Sequence, residues 1–273
     1  MAARSRANPS GRRTPRPPGR PAARRPFVIT IDGPSGAGKS SASKLLAERL
    51  GWRVFETGGL YRAVAWAALK AGVDPDDRRA IGRLCSRLAL RLAPARHSWG
   101  RTGPAGWRIR VGHRTLTREL RGDAVTAMAS RVAAQPVVRR RLLRLQRTLA
   151  RRGGVVMEGR DIGTVVCPAA PAKFFLDADP SVRGRRRFRE QGGDRRSSRR
   201  GSARQVLSAI TERDRRDRGR PVAPLRAAPD AVRIDTTGLT LEQVVDKMMA
   251  VLNGRGILLS FDRLRRVPGR GRS

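Results

Sequence analysis

The sequence predicts an α/β fold, a mostly parallel sheet covered by helices on both faces. Three observations carry that expectation. Short apolar, β-rich runs alternate with segments of helical spacing, a glycine-rich turn stands directly behind the first apolar run, and nothing repeats internally. Alternation of this kind produces crossover units in which each helix packs back onto the sheet.

The elements follow in order. "FVITID" (27–32) reads as a buried strand, and "KSSASKLLAERLG" as a helix with Leu45, Leu46 and Leu50 on one face and Gly51 as its stop. "WRVFET" is a second strand and "GGLYRAVAWAALKAG" a second helix, ended by Gly72. A less regular section comes next. In it "LALRLA" and "WRIRVGHRTL" alternate as exposed hairpin strands would, on either side of the Gly/Pro-rich "PARHSWGRTGPAG". "DAVTAMASRVAA" and "PVVRRRLLRLQRTLARRG" are helices, the second with Pro136 in its first turn. "GVVME" and "AKFFLDA" return to buried-strand character. "PSVRGRRRFREQ" is a very basic helix, "GGDRRSSRRGS" a loop, and "ARQVLSAITERDRRD" another helix. "AVRIDTT" gives the last strand and "LEQVVDKMMAVLN" the last helix.

Composition narrows the function classes. At 273 residues with 39% hydrophobic content the chain can bury a full core. No apolar run approaches the ~18 residues of a membrane span. The first 26 residues hold eight arginines, no acid and no apolar segment, which predicts a disordered basic tail rather than a secretory signal. "RRVPGRGRS" at the other end predicts a shorter tail of the same kind. Cys85 and Cys167 match no metal or redox spacing, and His97 and His113 are the sole histidines, so a zinc cluster is not expected and a reducing cytosol is. The net charge of +38 points toward polyanions, yet 55 of the 60 basic residues are arginine, spread even over ordinary helix faces. With aromatics at 4%, a base-stacking platform is not expected.

The chemistry-bearing motif is "GPSGAGKS", Gly33 to Ser40, which matches G-x-x-x-x-G-K-[ST] between a strand and a helix. Its glycines let the backbone N–H groups turn toward phosphate oxygens, and the helix adds its positive end. Lys39 reaches the outer phosphates and the Ser40 hydroxyl can ligate Mg²⁺. Such a P-loop needs an acid at the end of a neighbouring strand, and Glu158, closing "VVME", has that position. Arg62, Arg160 and Arg220 stand where an acceptor phosphate could be gripped by converging guanidiniums.

Together "ITIDGPSGAGKS", "TGGLYRAVAWAAL", "MASRVAAQPVVR", "GRDIGTVVCPAAPAKFFLDA" and "TERDRRDRGRPVAPL" resemble the bacterial cytidylate kinases, in order, from about Phe27 to Asn253. The resemblance implies a P-loop three-layer fold with a five-stranded parallel core. It implies a kinase domain over 26–254, with a CMP-binding insert at about 80–125 and a lid at about 188–204, between basic tails at 1–25 and 255–273. It implies transfer of the γ-phosphoryl group of ATP to CMP or dCMP with Mg²⁺, by a cytoplasmic monomer that binds neither membrane nor specific nucleic acid. The ATP loop would comprise Gly33, Pro34, Ser35, Gly36, Ala37, Gly38, Lys39, Ser40 and Ser41, with Ser40 and Glu158 at the metal. Lys39, Arg160, Arg186 and Arg213 would serve catalysis, Arg183 and Arg187 being helpers. Arg62, Arg160 and Arg220 would hold the acceptor phosphate, and Ser130, Arg139 and Asp161 would read cytosine. Asp217 would meet the ribose, and Thr57 and Tyr61 would line the pocket. Glu158 stands where the family usually has Asp, and Leu120-Arg121 where it tends to carry Ile-Arg. The competing readings are a P-loop kinase for another small acceptor and a basic nucleic-acid-binding protein with a nucleotide switch.

Overall fold

The computed structural model describes residues 27–96, 103–190 and 203–258. Both tail expectations fall largely outside these residues, as do the centre of the expected lid and part of the glycine-rich stretch before Gly103.

Five parallel strands form the main sheet in the order β2-β6-β1-β7-β8. They are β1 (Val28–Asp32), β2 (Arg53–Glu56), β6 (Val155–Gly159), β7 (Ala172–Asp177) and β8 (Val232–Asp235). β1 and β6 are buried throughout, as a parallel sheet covered on both faces requires. Alternate side chains feed two cores. Ile29, Ile31, Val54 and Val156 pack with α1 (Lys39–Leu50) and α8 (Leu241–Gly254). Val28, Phe55, Val155 and Met157 pack on the other face, with α2 (Gly58–Lys70), α4 (Asp123–Val132) and α5 (Pro136–Ala150). On α1 the apolar face is centred on Ala42, Leu46 and Ala47, while Leu45 and Leu50 are only partly covered.

The less regular section has more order than its sequence suggests. Residues 78–87 form α3 (Arg78–Arg87), capped by Asp77, whose carboxylate accepts the N–H groups of Arg79 and Ala80, both at 2.9 Å. Ile81 and Cys85, one turn apart, are its buried residues. A three-stranded antiparallel sheet, β3-β4-β5, follows: β3 (Leu90–Ala95), β4 (Gly106–Val111) and β5 (Arg114–Leu116). It was expected to be an exposed hairpin, but Leu90, Trp107, Ile109 and Leu116 are buried in the second core. The alternation in the sequence marks one wet and one dry face rather than two wet ones. Trp107 meets Phe55 edge to face at 5.9 Å between centroids, which fastens this small sheet to β2.

The remaining helices, α6 (Pro180–Glu190) and α7 (Ala203–Gly219), pack against each other beyond the carboxyl ends of the strands. Between β6 and β7 the chain makes one wide π turn, Ile162–Val166, closed by Val166 N–H to Asp161 O at 3.2 Å and Cys167 N–H to Ile162 O at 2.7 Å.

Candidate active site

Ligands of open α/β sheets bind at the carboxyl ends of the strands, and two cavities open beside the ends of β1, β2 and β6. The first is lined by the P-loop residues Ser35, Gly36, Gly38, Lys39, Ser40 and Ser41, with Arg62, Glu158, Arg160, Arg187, Glu190 and Arg213 around its mouth. Gly33 has φ +148°, and a Cβ there would lie 1.9 Å from the Leu176 carbonyl oxygen, so the loop can leave β1 only through glycine. Gly38 caps α1 in the left-handed conformation with no side-chain cap and no acid in the first turn. The first N–H groups of α1 therefore face the cavity free for an anion.

Electrostatics agree. Burial, then the neighbouring Arg160, pushes the Lys39 ammonium down to about 7. Burial also lowers Arg62 and Arg213, whose Nε atoms are both buried without a partner. Cations crowded together under a shared desolvation penalty are what a polyanion would relieve. Lys39 Nζ meanwhile donates to the Pro34 carbonyl at 2.5 Å. Ser40 Oγ donates to Glu158 Oε2 at 3.2 Å, so the hydroxyl and the strand-end acid meet at the cavity edge. Among the described residues no three His, Cys, Asp or Glu gather as a metal cage. A hydroxyl and one carboxylate beside a polyphosphate suit Mg²⁺, which keeps water and phosphate oxygens as its other ligands.

The second cavity, about 290 Å³, is lined by Tyr61, Pro136, Arg139, Leu143, Gln146, Asp161, Val165 and Ala223, among others. Arg139 and Asp161 form a short ion pair at its edge, with the guanidinium 5.5 Å above the Tyr61 ring. Ser130 Oγ, on α4, is buried without a partner. Arg160 lines the first cavity and Asp161, the next residue, lines the second. Asp217 joins them: Arg160 Nε donates to its Oδ2 at 3.1 Å, and Arg220 sits 3.5 Å from its Oδ1. Burial would raise the Asp217 carboxyl, but Arg160, Arg213 and Arg220 hold it below the usual range.

Some residues stand apart from their expected places. Arg186 lies beside the cradle, its NH1 3.9 Å from where a Cβ on Gly38 would sit, but it is engaged in donating to Thr236 Oγ1 and O at 2.8 and 2.6 Å, while Arg187, next in sequence, lines the cavity. Thr57 Oγ1 donates to the Glu158 carbonyl at 2.9 Å and is buried behind the site instead of lining it. Arg220 lines neither cavity; it bridges Asp161 (3.4 Å) and Asp217 and donates to the Ala223 carbonyl. Arg183 is buried beneath the P-loop, with NH1 donating to Ser35 O at 3.1 Å.

Sequence reading passed over Asp214, Asp32 and Gln146. Asp214 pairs with Arg183 and accepts the Ser35 N–H. Its signal was faint: in a chain with 22 acids against 60 bases, an acid next to Arg213 in a buried helix face asks for a partner.

A family model described as cytidylate kinase matches residues 29–254. A cytidylate kinase of Geobacter sulfurreducens is 44% identical over 234 residues, 86% of this chain and 96% of the relative. One of Mycolicibacterium paratuberculosis is 45% identical over 229 residues, covering 84% and 96%. One of Azotobacter vinelandii is 42% identical over 236 residues, covering 85% and 98%.

Proposed function

This chain belongs to the cytidylate kinase family and phosphorylates CMP or dCMP at the expense of ATP; on that premise we propose how its residues divide the work. The amides of the P-loop and Lys39 hold the ATP phosphates. Ser40 and Glu158 would hold Mg²⁺, which supplies positive charge to the β- and γ-phosphate oxygens. Arg62 and Arg160 grip the CMP phosphate at the mouth of the same cavity. Arg213 and Arg187 face the transferring phosphoryl group, and Arg186 steadies the segment at Thr236 instead.

The base enters the second cavity. Asp161 accepts from the cytosine N4 amino group and Arg139 donates to N3 or O2, with Ser130 Oγ as a further partner. Uracil carries an O4 acceptor in place of the N4 amino donor and a proton on N3, which leaves Asp161, and Arg139 at N3, mispaired. Tyr61 walls the pocket, Asp217 receives the ribose, and Arg220 orients the two carboxylates it bridges. A CMP phosphate oxygen then attacks the γ-phosphorus while the bond to the β-phosphate oxygen breaks. Because the attacking oxygen is already anionic, no general base is needed, and alignment with charge neutralisation carries the rate.

The reading extends to organisation. The kinase domain spans 26–254 and β3 to β5 belong to the acceptor-binding insert, while the lid expected at about 188–204 falls mostly outside the described residues. The protein acts as a cytoplasmic monomer without a nucleic-acid partner; among the described residues no helix is long and apolar enough to cross a membrane.

The observation carrying this reading is the adjacency of Arg160 and Asp161, one in each cavity. A coupled ADP-release assay with CMP, dCMP, UMP and AMP tests it, with Lys39→Ala and Asp161→Ala as controls. CMP and dCMP should be strongly preferred; equal turnover of CMP and UMP overturns the base-reading assignment.

A further inference from the structure

We propose that Asp32 is a positioning residue for the acceptor side of the reaction: it catches the turn that presents Arg160 and Asp161 and fixes their aim. The inference rests on the acceptor roles proposed above. Asp32 is the last residue of β1, next to the first glycine of the P-loop, and is 4% exposed. Its two carboxylate oxygens are both used: Oδ1 accepts the N–H of Ile162 at 2.8 Å, and Oδ2 accepts that of Gly163 at 2.7 Å.

The placement explains the pairing. In the sheet Asp32 lies beside Gly159, the last residue of β6. The chain leaves β6 there, supplies Arg160 and Asp161, and enters the π turn. The first N–H groups of any helical turn lack partners within it, and Asp32 takes two of them. Asp161 itself sits at φ −146°, ψ 26°, neither helical nor extended, with its carbonyl accepting from Val165 at 2.9 Å and Val166 at 3.2 Å. The turn is also pressed close to the sheet. A Cβ on Gly163 would lie 2.9 Å from Thr30 Oγ1, 3.2 Å from Lys173 Cδ and 3.3 Å from Asp32 Oδ2. Asp32 thus links the strand that launches the ATP loop to the turn that holds the acceptor. Burial raises its carboxyl to about 7 against the pull of those two N–H bonds, so an acidic group stands here at a desolvation cost that an apolar residue would not carry.

Asp32→Asn tests the proposal. The two N–H groups use different carboxylate oxygens, and in the amide one of these becomes an NH₂ donor that faces an N–H donor. Steady-state kinetics should show KM for CMP raised roughly 10- to 100-fold, the scale of a reacting group displaced by about 1 Å. The preference for CMP over UMP should narrow, with KM for ATP within about twofold of the parent. Gly163→Ala, which lifts the turn from the same carboxylate, should give the same split and stands in if Asp32→Asn does not fold. Parallel rises in both KM values, or an unchanged KM for CMP, overturn the proposal. Asp161→Ala in the same assay separates the two readings. If it raises KM for CMP and Asp32→Asn does not, the positioning role alone fails; if it too leaves KM and selectivity unchanged, the acceptor assignment fails.

Discussion

Asp214 Oδ1 accepts the backbone N–H of Ser35 at 3.0 Å, although 179 residues separate them. Arg183, ion-paired with the same carboxylate, donates to the Ser35 carbonyl at 3.1 Å. Ser35 is thereby held at both its N–H and its carbonyl by a pair of buried side chains from α6 and α7. Those helices also carry Arg187, one turn beyond Arg183, and Arg213, next to Asp214. The clamp therefore sets the rotation of both helices against the phosphate cradle.

Removing one partner of this pair strands the other's charge in the interior. Asp214→Ala should destabilise the fold by about 3–5 kcal/mol, read by denaturant unfolding. Asp214→Asn keeps an acceptor for Ser35, should lose less stability, and should raise KM for ATP more than KM for CMP.

Lys39 lines the P-loop cavity and is expected to act on charge that develops during transfer. Lys39→Ala should lower kcat by roughly 10²–10³-fold with the fold intact by circular dichroism. A loss confined to KM would place it in ground-state binding alone.

Asp161→Asn changes an acceptor into a group that can also donate, and loosens the pair with Arg139. The CMP/UMP ratio of kcat/KM should fall by about 10- to 100-fold, corresponding to a charged hydrogen bond of about 1.5–3 kcal/mol. Comparing the two acceptors under matched conditions measures it directly.

Glu158→Gln leaves the contact with Ser40 possible but removes a charge. The Mg²⁺ concentration giving half-maximal rate should rise roughly 10- to 100-fold, with CMP selectivity unchanged.

Burial pushes the Cys167 thiol up to about 11, and Cys85 is also raised. Below the raised value the protonated thiol dominates, so at pH 8 only about 10⁻³ of Cys167 is the nucleophilic thiolate. Alkylation of the native protein should be slow at pH 8 and accelerate about tenfold per pH unit until near 11.

The features legible in the sequence are those fixed by neighbours in the chain. The P-loop glycines, Pro136 at a helix start, Gly51 and Gly72 at helix ends and the alternation of strands with helices all express local chemistry. Glu158 was legible because strand-end position follows from the strand. What escaped depends on partners far away. Asp32 meets Ile162 across 130 residues, and no local pattern announces it. Arg186 and Arg187 differ by about 100° around one helix, and the sequence of so uniformly basic a segment carries no apolar stripe to set that phase. The small antiparallel sheet looked exposed because its dry face is covered by elements well before it in sequence, α2 and β2.

The bare amino end of α1 has a consequence for the cell. A helix lacking its own terminal cap borrows one from whatever anion arrives, so nucleotide completes a piece of secondary structure as well as feeding the reaction. Resistance to heat and to proteolysis should then track the supply of ATP: a starved cell would hold a softer enzyme than a well-fed one, from the same gene and at the same abundance.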